Sequence, residues 1–150
     1  MGKIIKSAGK EGKLERLKIY TDGASRGNPG PSAYAFVFVK DDKILHQSSG
    51  FIGKGTNNTA EYKAIINALK AAEKYTKGEL EVYSDSELVI KQINREYRIN
   101  KEHLLKLCEE LRELCRRFES VKFNSVRRGN RFIKEADNLC NICLDKNRGS

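Results

Sequence analysis

Proline is scarce, with 2 in 150 residues, and no segment is of low complexity. Collagen-like, mucin-like and linker readings are excluded, because each needs proline, glycine or serine in bulk. No apolar run approaches the roughly 18 to 20 residues that cross a bilayer. The opening MGKIIKSAGKEGKLERL carries charges where a signal peptide needs its apolar stretch. The expectation is a soluble, cytoplasmic protein with no membrane partner. The length suits one hydrophobic core and not two, which excludes a repeat array, and a monomer is expected. What is present is globular in kind: 39% hydrophobic and 33% charged residues.

The net charge is +9, and it sits at the ends of the chain. Residues 1–18 contribute +4, residues 121–150 another +4, and the long middle only +1. A basic arm and a basic C-terminal segment attract a polyanion, most simply nucleic acid, because each neutralised phosphate releases counterions. A merely solubilising surface is the plainer alternative.

Four cysteines, Cys108, Cys115, Cys140 and Cys143, look like two pairs and invite a zinc reading. Their surroundings argue otherwise. Cys108 and Cys115 fall on an apolar stripe with Leu104, Leu107, Leu111, Leu114 and Phe118. Cys140 and Cys143 fall on another with Ala136, Leu139 and Leu144. Thiols on helix stripes are small core hydrophobes.

Periodicity and turn formers predict the order of elements. Strands are expected at Leu17 to Thr21, Ala33 to Val39 and Lys43 to Phe51, with the turn-rich Asp22 to Gly30 after the first. A helix follows from about Thr59, capped by Thr59 or Asn58. A fourth strand covers Leu80 to Ser84, and a helix carries Leu88, Val89, Gln92 and Ile93. The cysteine-bearing helix spans 101–119, a fifth strand Val121 to Val126, and a last helix 133–145. This β-β-β-α-β-α-α-β-α order predicts an α/β fold: a mixed five-stranded sheet with helices on its faces. The expected domains are a basic flexible arm at 1–16, a folded domain at 17–146 and a short tail at 147–150.

Four acidic residues occupy awkward places for surface charge. Asp22 and Asp85 each end a predicted strand, Glu61 lies early in an Ala-rich helix, and Asp137 sits beside Ala136 on the last one. If the two strands are adjacent and parallel, Asp22 and Asp85 emerge together, and the helices could bring Glu61 and Asp137 alongside. Clustered carboxylates repel unless protonated or matched by cations. Oxygen ligands suit Mg²⁺ or Mn²⁺, and two such ions about 4 Å apart can promote phosphodiester hydrolysis. Taken singly, each residue also has a plainer reading: a turn or cap aspartate, a glutamate favouring the helix dipole, a solvated helix aspartate.

TDGASRGNPG at 21–30, TNNTAEY at 56–62, YSDSELVIKQIN at 83–94 and EADNL at 135–139 together resemble the type 1 ribonucleases H. The resemblance implies the ribonuclease H fold, with the first three strands antiparallel and the fourth beside the first. It implies cleavage of the RNA strand of RNA–DNA hybrids by two-metal-ion catalysis, leaving 5′-phosphate and 3′-hydroxyl ends. Asp22, Glu61, Asp85 and Asp137 match the family's catalytic, metal-binding carboxylates, which hold two Mg²⁺ ions, with Mn²⁺ as a substitute. Asn28 matches a residue that approaches the RNA minor-groove edge, and backbone amides at Gly23, Ala24 and Ser25 are candidates to assist it. Thr56 and Asn57 match positions that hold a DNA-strand phosphate, Asn58 one near the bases, and Ser86 a neighbour of the site.

The chain also departs from the family pattern. Many members carry a histidine in the loop before the last carboxylate; here the loop reads Arg127-Arg128-Gly-Asn-Arg131-Phe-Ile. His46 and His103 lie on other elements. Arg127, Arg128 or Arg131 can contact phosphate, but an arginine cannot act as a general base at neutral pH. Glu87 stands where many relatives have glutamine. The connection at 94–101 is too short for the basic, aromatic-bearing protrusion of some relatives, leaving electrostatic affinity to the arm and the 127–134 loop. Two alternatives stay open: a related nuclease that also cuts double-stranded RNA or RNA–DNA junctions, and a non-catalytic nucleic-acid-binding domain of the same fold.

Overall fold

A computed structural model describes residues 14–148. Most of the expected arm lies outside the described residues, as do the last two positions of the expected tail. The fold begins before the expected boundary at residue 17. Leu14 donates its N–H to the Tyr75 carbonyl at 3.0 Å, accepts from the Thr76 hydroxyl, and packs on the core.

The described residues form β1 (Arg16–Ser25), β2 (Gly30–Lys40), β3 (Lys43–Gly55), α1 (Asn57–Ala72), β4 (Glu79–Ser84), α2 (Glu87–Ile93), α3 (Glu102–Cys115), β5 (Ser120–Ser125) and α4 (Arg131–Lys146). The strands lie in the order β3-β2-β1-β4-β5. The β1–β2 and β2–β3 pairs are antiparallel, whereas β1–β4 and β4–β5 are parallel. This is the expected mixed sheet, with the fourth strand beside the first.

Alternation along the strands creates two cores, because successive side chains point to opposite faces. Leu17, Ile19, Phe36, Phe38, Leu80 and Val82 pack against α1, α2 and α3 through residues such as Tyr62, Ile65, Leu69, Val89 and Leu111. Tyr20, Ala35, Val37 and Val39 face the other way, onto Phe132, Ile133, Ala136 and Cys140 of α4. Each large apolar side chain fully buried here contributes about 1.5–3 kcal/mol. All four cysteines are free; Cys108 and Cys140 are buried in the two cores, and Cys115 and Cys143 are half-buried.

Several boundaries differ from expectation for local reasons. β1 continues past Thr21 to Ser25 because β2 keeps pairing with it, Ala24 opposite Ala33 and Ser25 opposite Ser32. β3 likewise runs on to Gly55. α1 starts at Asn57, and its cap is Thr56, whose hydroxyl accepts the Thr59 N–H at 3.2 Å. α3 ends at Cys115, short of the expected 119. α4 starts at Arg131, two residues early, because the Asn130 side chain accepts the N–H groups of Phe132 and Ile133 at 2.9 and 3.2 Å. Among the described residues no helix is long and apolar enough to cross a membrane.

Candidate active site

Strand register brings the first two carboxylates together. β1 and β4 run parallel with Tyr20 beside Tyr83 and Thr21 beside Ser84, the last paired positions. The Tyr20 and Tyr83 rings stack at 4.8 Å. Two residues further on, the same face carries Asp22 and Asp85. There β4 has ended, and Ser86 caps α2 by accepting the Val89 N–H at 3.4 Å. Asp22 is therefore not the last residue of its strand, as expected, but the first beyond the point where its parallel neighbour stops.

Glu61 arrives from the other side of the sheet. With α1 beginning at Asn57, Glu61 lies in the second helical turn, so the dipole reading no longer applies. Its Oε1 accepts the Gly23 N–H at 3.0 Å. Any side chain at residue 23 would overlap the Ala60 carbonyl and the Glu61 nitrogen. Glycine thus lets α1 lie directly on β1, and that close approach delivers Glu61. Carboxylate oxygens of Asp22, Glu61 and Asp85 come within 4.8 Å of one another.

Burial and mutual repulsion both work against ionisation. Asp22 is 6% exposed and Glu61 8%. Desolvation, then the charges of Asp85 and Asp137, push the Asp22 carboxyl up to about 8, although the Gly23 amide opposes this. Glu61 is likewise held well above the usual carboxylate range, first by burial and then by Asp22 and Asp85. Among the described residues, the ion pair that reaches this cluster is Arg128 to Asp85 at 3.5 Å, and the Arg128 side chain is 93% exposed. A pair so open to water offsets little of the repulsion. Three oxygen-only donors with a charge deficit fit hard divalent cations of the Mg²⁺ or Mn²⁺ kind.

Asp137 is on α4 and exposed. It lies near enough to help raise the Asp22 carboxyl, but it stands outside the mutually close trio. The two predicted contact loops are brought together. The Asn57 side chain accepts the Ser25 N–H, and the Asn28 side chain accepts the Asn57 N–H, both at 3.0 Å. The Ser25 hydroxyl donates to the Gly55 carbonyl at 3.0 Å. Ala24 is within the β1–β2 pairing, and Asn58 is in the first turn of α1. The Gly23 amide is engaged by Glu61, and Thr56 and Ser86 spend their hydroxyls as helix caps.

Of the arginines, Arg127 is exposed in the loop before α4. Arg131 is turned to the β2–β3 turn, donating to the Asp42 carbonyl at 3.0 Å. His46 packs among the rings of Phe36, Phe38 and Tyr75, and His103 is exposed on α3, so neither belongs to the cluster. Glu87 pairs with Lys91 one helical turn on, at 3.6 Å. The α2–α3 connection is as short as expected, residues 94–101.

Two contributors escaped the sequence reading. Gly23 was expected as a substrate amide, whereas it seats α1. Cys140, expected only as core filling, points its thiol at the Asp22 carbonyl, 3.4 Å away. The close approach of β1 to α1 leaves a signal in the small pair Gly23 and Ala60; the thiol contact leaves none.

A family model described as "Reverse transcriptase-like" matches residues 20–143. Ribonuclease HI of Halobacterium salinarum is 40% identical over 131 residues, covering 87% of this chain and 65% of that protein. The bifunctional protein Rv2228c of Mycobacterium tuberculosis is 36% identical over 87% of this chain, but only 36% of its own length is matched. The chain thus spans less than two thirds of these curated relatives. The crystal structure of RNase H1 from H. salinarum superposes with a TM-score of 0.83 at 39% identity, over 87% of this chain and 98% of that one. That of LC11-RNase H1 in complex with an RNA/DNA hybrid gives 0.81 at 32% identity, over 87% and 98%.

Proposed function

The chain belongs to the type 1 ribonuclease H family, and on that premise we propose that it is an endonuclease hydrolysing the RNA strand of RNA–DNA hybrids, leaving 5′-phosphate and 3′-hydroxyl ends. The observation that carries this reading is the meeting of Asp22, Glu61 and Asp85 within 4.8 Å, two of them buried and the group short of counter-charge. A polyanion-binding surface gains nothing from such a cluster; a cation-dependent hydrolase requires it.

Asp22, Glu61 and Asp85, with Asp137 from α4, would hold two Mg²⁺ ions, or Mn²⁺ in their place. When bound, these ions supply the charge that offsets the phosphate and the acidity that makes water a nucleophile at neutral pH. The chain's own residues do the rest. Gly23 orients Glu61 through its amide, and Asp22 and Asp85 are fixed by the β1–β4 register. Asn28, with Ala24 and Ser25 at the end of β1 leading into its turn, faces the RNA minor groove. Thr56, Asn57 and Asn58 serve the DNA strand, Ser86 the site's edge, and Arg127 and Arg128 the phosphates at its rim. The hybrid-bound relative LC11-RNase H1 supports a hybrid as partner. Action as a monomer in the cytoplasm belongs to the same proposal.

The test is parallel digestion of end-labelled RNA–DNA hybrid, double-stranded RNA and duplex DNA, with Mg²⁺, with Mn²⁺ and with chelator. The expected result is cation-dependent cutting of hybrid RNA with 5′-phosphate products. Binding without cutting would leave the non-catalytic reading, and equal cutting of double-stranded RNA would leave the broader nuclease.

A further inference from the structure

Arg26 lies in the turn between β1 and β2, four residues beyond Asp22 and two before Asn28. Its backbone N–H closes that turn on the Pro31 carbonyl at 2.8 Å. Its guanidinium leaves the turn altogether and is committed to α4. One terminal nitrogen pairs with Asp145 at 2.7 Å, and the other donates to both the carbonyl and the side-chain oxygen of Asn141 at 3.3 Å. Asn141 in turn donates its side-chain N–H to the Asp137 carbonyl at 3.2 Å. Its amide is satisfied at both ends, oxygen towards Arg26 and nitrogen towards Asp137.

The neighbouring residue Cys140 donates its thiol to the Asp22 carbonyl on the buried side of the same helical turn. Residues three and four along from Asp137 share its face of the helix. That turn of α4 is therefore held from two directions, by Cys140 on the inside and Arg26 on the outside. Asp137, the one exposed member of the four acids, has its helical turn located by these two contacts.

We propose that Arg26 is a positioning residue: through Asn141 it ties the turn carrying Asn28 to the turn of α4 carrying Asp137, so that seating of the nucleic acid and placement of the fourth carboxylate are set together. This rests on the function proposed above. The pairing with Asp145 is partly exposed and adds little to stability, so its effect is on geometry. Lysine keeps the charge of Arg26 but not the planar fork that reaches Asn141 and Asp145 at once. A charge-only role and a positioning role therefore separate at Arg26→Lys.

The experiment compares wild type, Arg26→Lys, Arg26→Ala, Asn141→Ala and the Arg26→Lys/Asn141→Ala pair in the full chain. It reads single-turnover cleavage, hybrid Kd, and amide hydrogen exchange of the metal-free protein. Arg26→Lys is expected to slow cleavage about 10-fold, in the range seen when groups supporting a site's ligands are removed, with Kd within about 2-fold. The double variant is expected to be no slower than Arg26→Lys alone. Exchange should rise at residues 26–28 and 137–145 and stay unchanged in β1 and β4. Wild-type cleavage by Arg26→Lys, multiplying effects in the pair, or unaltered exchange in both segments would overturn the proposal. A wild type that cuts no hybrid would instead sink the nuclease reading, and the exchange comparison would still decide the tie.

Discussion

Replacing Asp22 by asparagine removes a buried charge from a site that repels it, so the metal-free protein should become more stable. The carboxyl is raised from an ordinary 3.8 to about 8, first by burial and then by Asp85 and Asp137. A raised carboxyl means that the folded state holds a proton the unfolded chain has released. The folded protein therefore loses stability as pH rises from about 4 to about 8, and is unaffected by this group below that window. Four pH units at about 1.4 kcal/mol each set an upper bound near 5–6 kcal/mol. Glu61 shares the repulsion and adjusts its own protonation, which brings the expected gain at about pH 9 to roughly 2–4 kcal/mol. For a chain of this size that is about 5–10 °C in Tm. At about pH 3, below the ordinary 3.8, where both states carry mostly protonated Asp22, the two proteins should melt within about 2 °C of each other. Thermal unfolding in chelator at the two pH values is the assay. Adding Mg²⁺ should then reverse the order, because cation binding stabilises wild type and not the variant. Equal shifts at both pH values, or a lower Tm for Asp22→Asn at pH 9, would refute the repulsion argument and make Asp22 an ordinary structural residue.

Three other perturbations test separate parts of the reasoning. Gly23→Ala should destabilise the fold by roughly 3 kcal/mol, because its methyl meets the backbone of α1 and not a side chain that could move; urea unfolding reads the loss, and hybrid cleavage should fall with the displacement of Glu61. Gln92→Leu should cost about 1–3 kcal/mol, since the buried Tyr62 hydroxyl donates to the Gln92 side chain at 2.8 Å and would lose its acceptor; a Tyr62→Phe/Gln92→Leu pair that regains most of the loss is the check. Deleting residues 1–13, which carry four lysines against one glutamate, should weaken hybrid binding and lower the slope of log Kd against log salt by roughly 2–3. An unchanged slope in a filter-binding titration would show that the arm does not meet phosphate. The deletion stops at Lys13 because Leu14 is hydrogen-bonded to Tyr75 and packed on the core.

The order of elements and the sheet were legible because strand and helix periodicity are local properties, carried by runs such as Ala33 to Val39 and the stripe from Leu104 to Leu114. Three of the four acids were legible for the same reason: Asp22 and Asp85 follow β-forming runs, and Glu61 follows a helix start. What was hidden is what depends on contacts between distant segments. Arg26 and Asn141 lie 115 residues apart, and nothing near either one marks it as the other's partner. The extension of β1 to Ser25 was hidden too, because its cause is the continued pairing of β2 and not any feature of the turn-forming residues themselves.

The parallel register carries more of the site than any single residue does. Because side chains alternate along a strand, slipping β4 by one residue against β1 would set Ser84 or Ser86 beside Asp22 and turn Asp85 to the opposite face. The Tyr20–Tyr83 stack, two residues upstream and on the same face, resists that slip. Its contribution is therefore to spacing between carboxylates as well as to the core beneath α4. Tyr83→Ser should cost the stacking and leave the strand in place, whereas the loss of metal affinity it causes should exceed its loss of stability in proportion. Calorimetric Mn²⁺ titration alongside thermal melts would show this, and a variant that melts lower yet binds Mn²⁺ as wild type does would mean that the β-ladder alone holds Asp22 and Asp85 together.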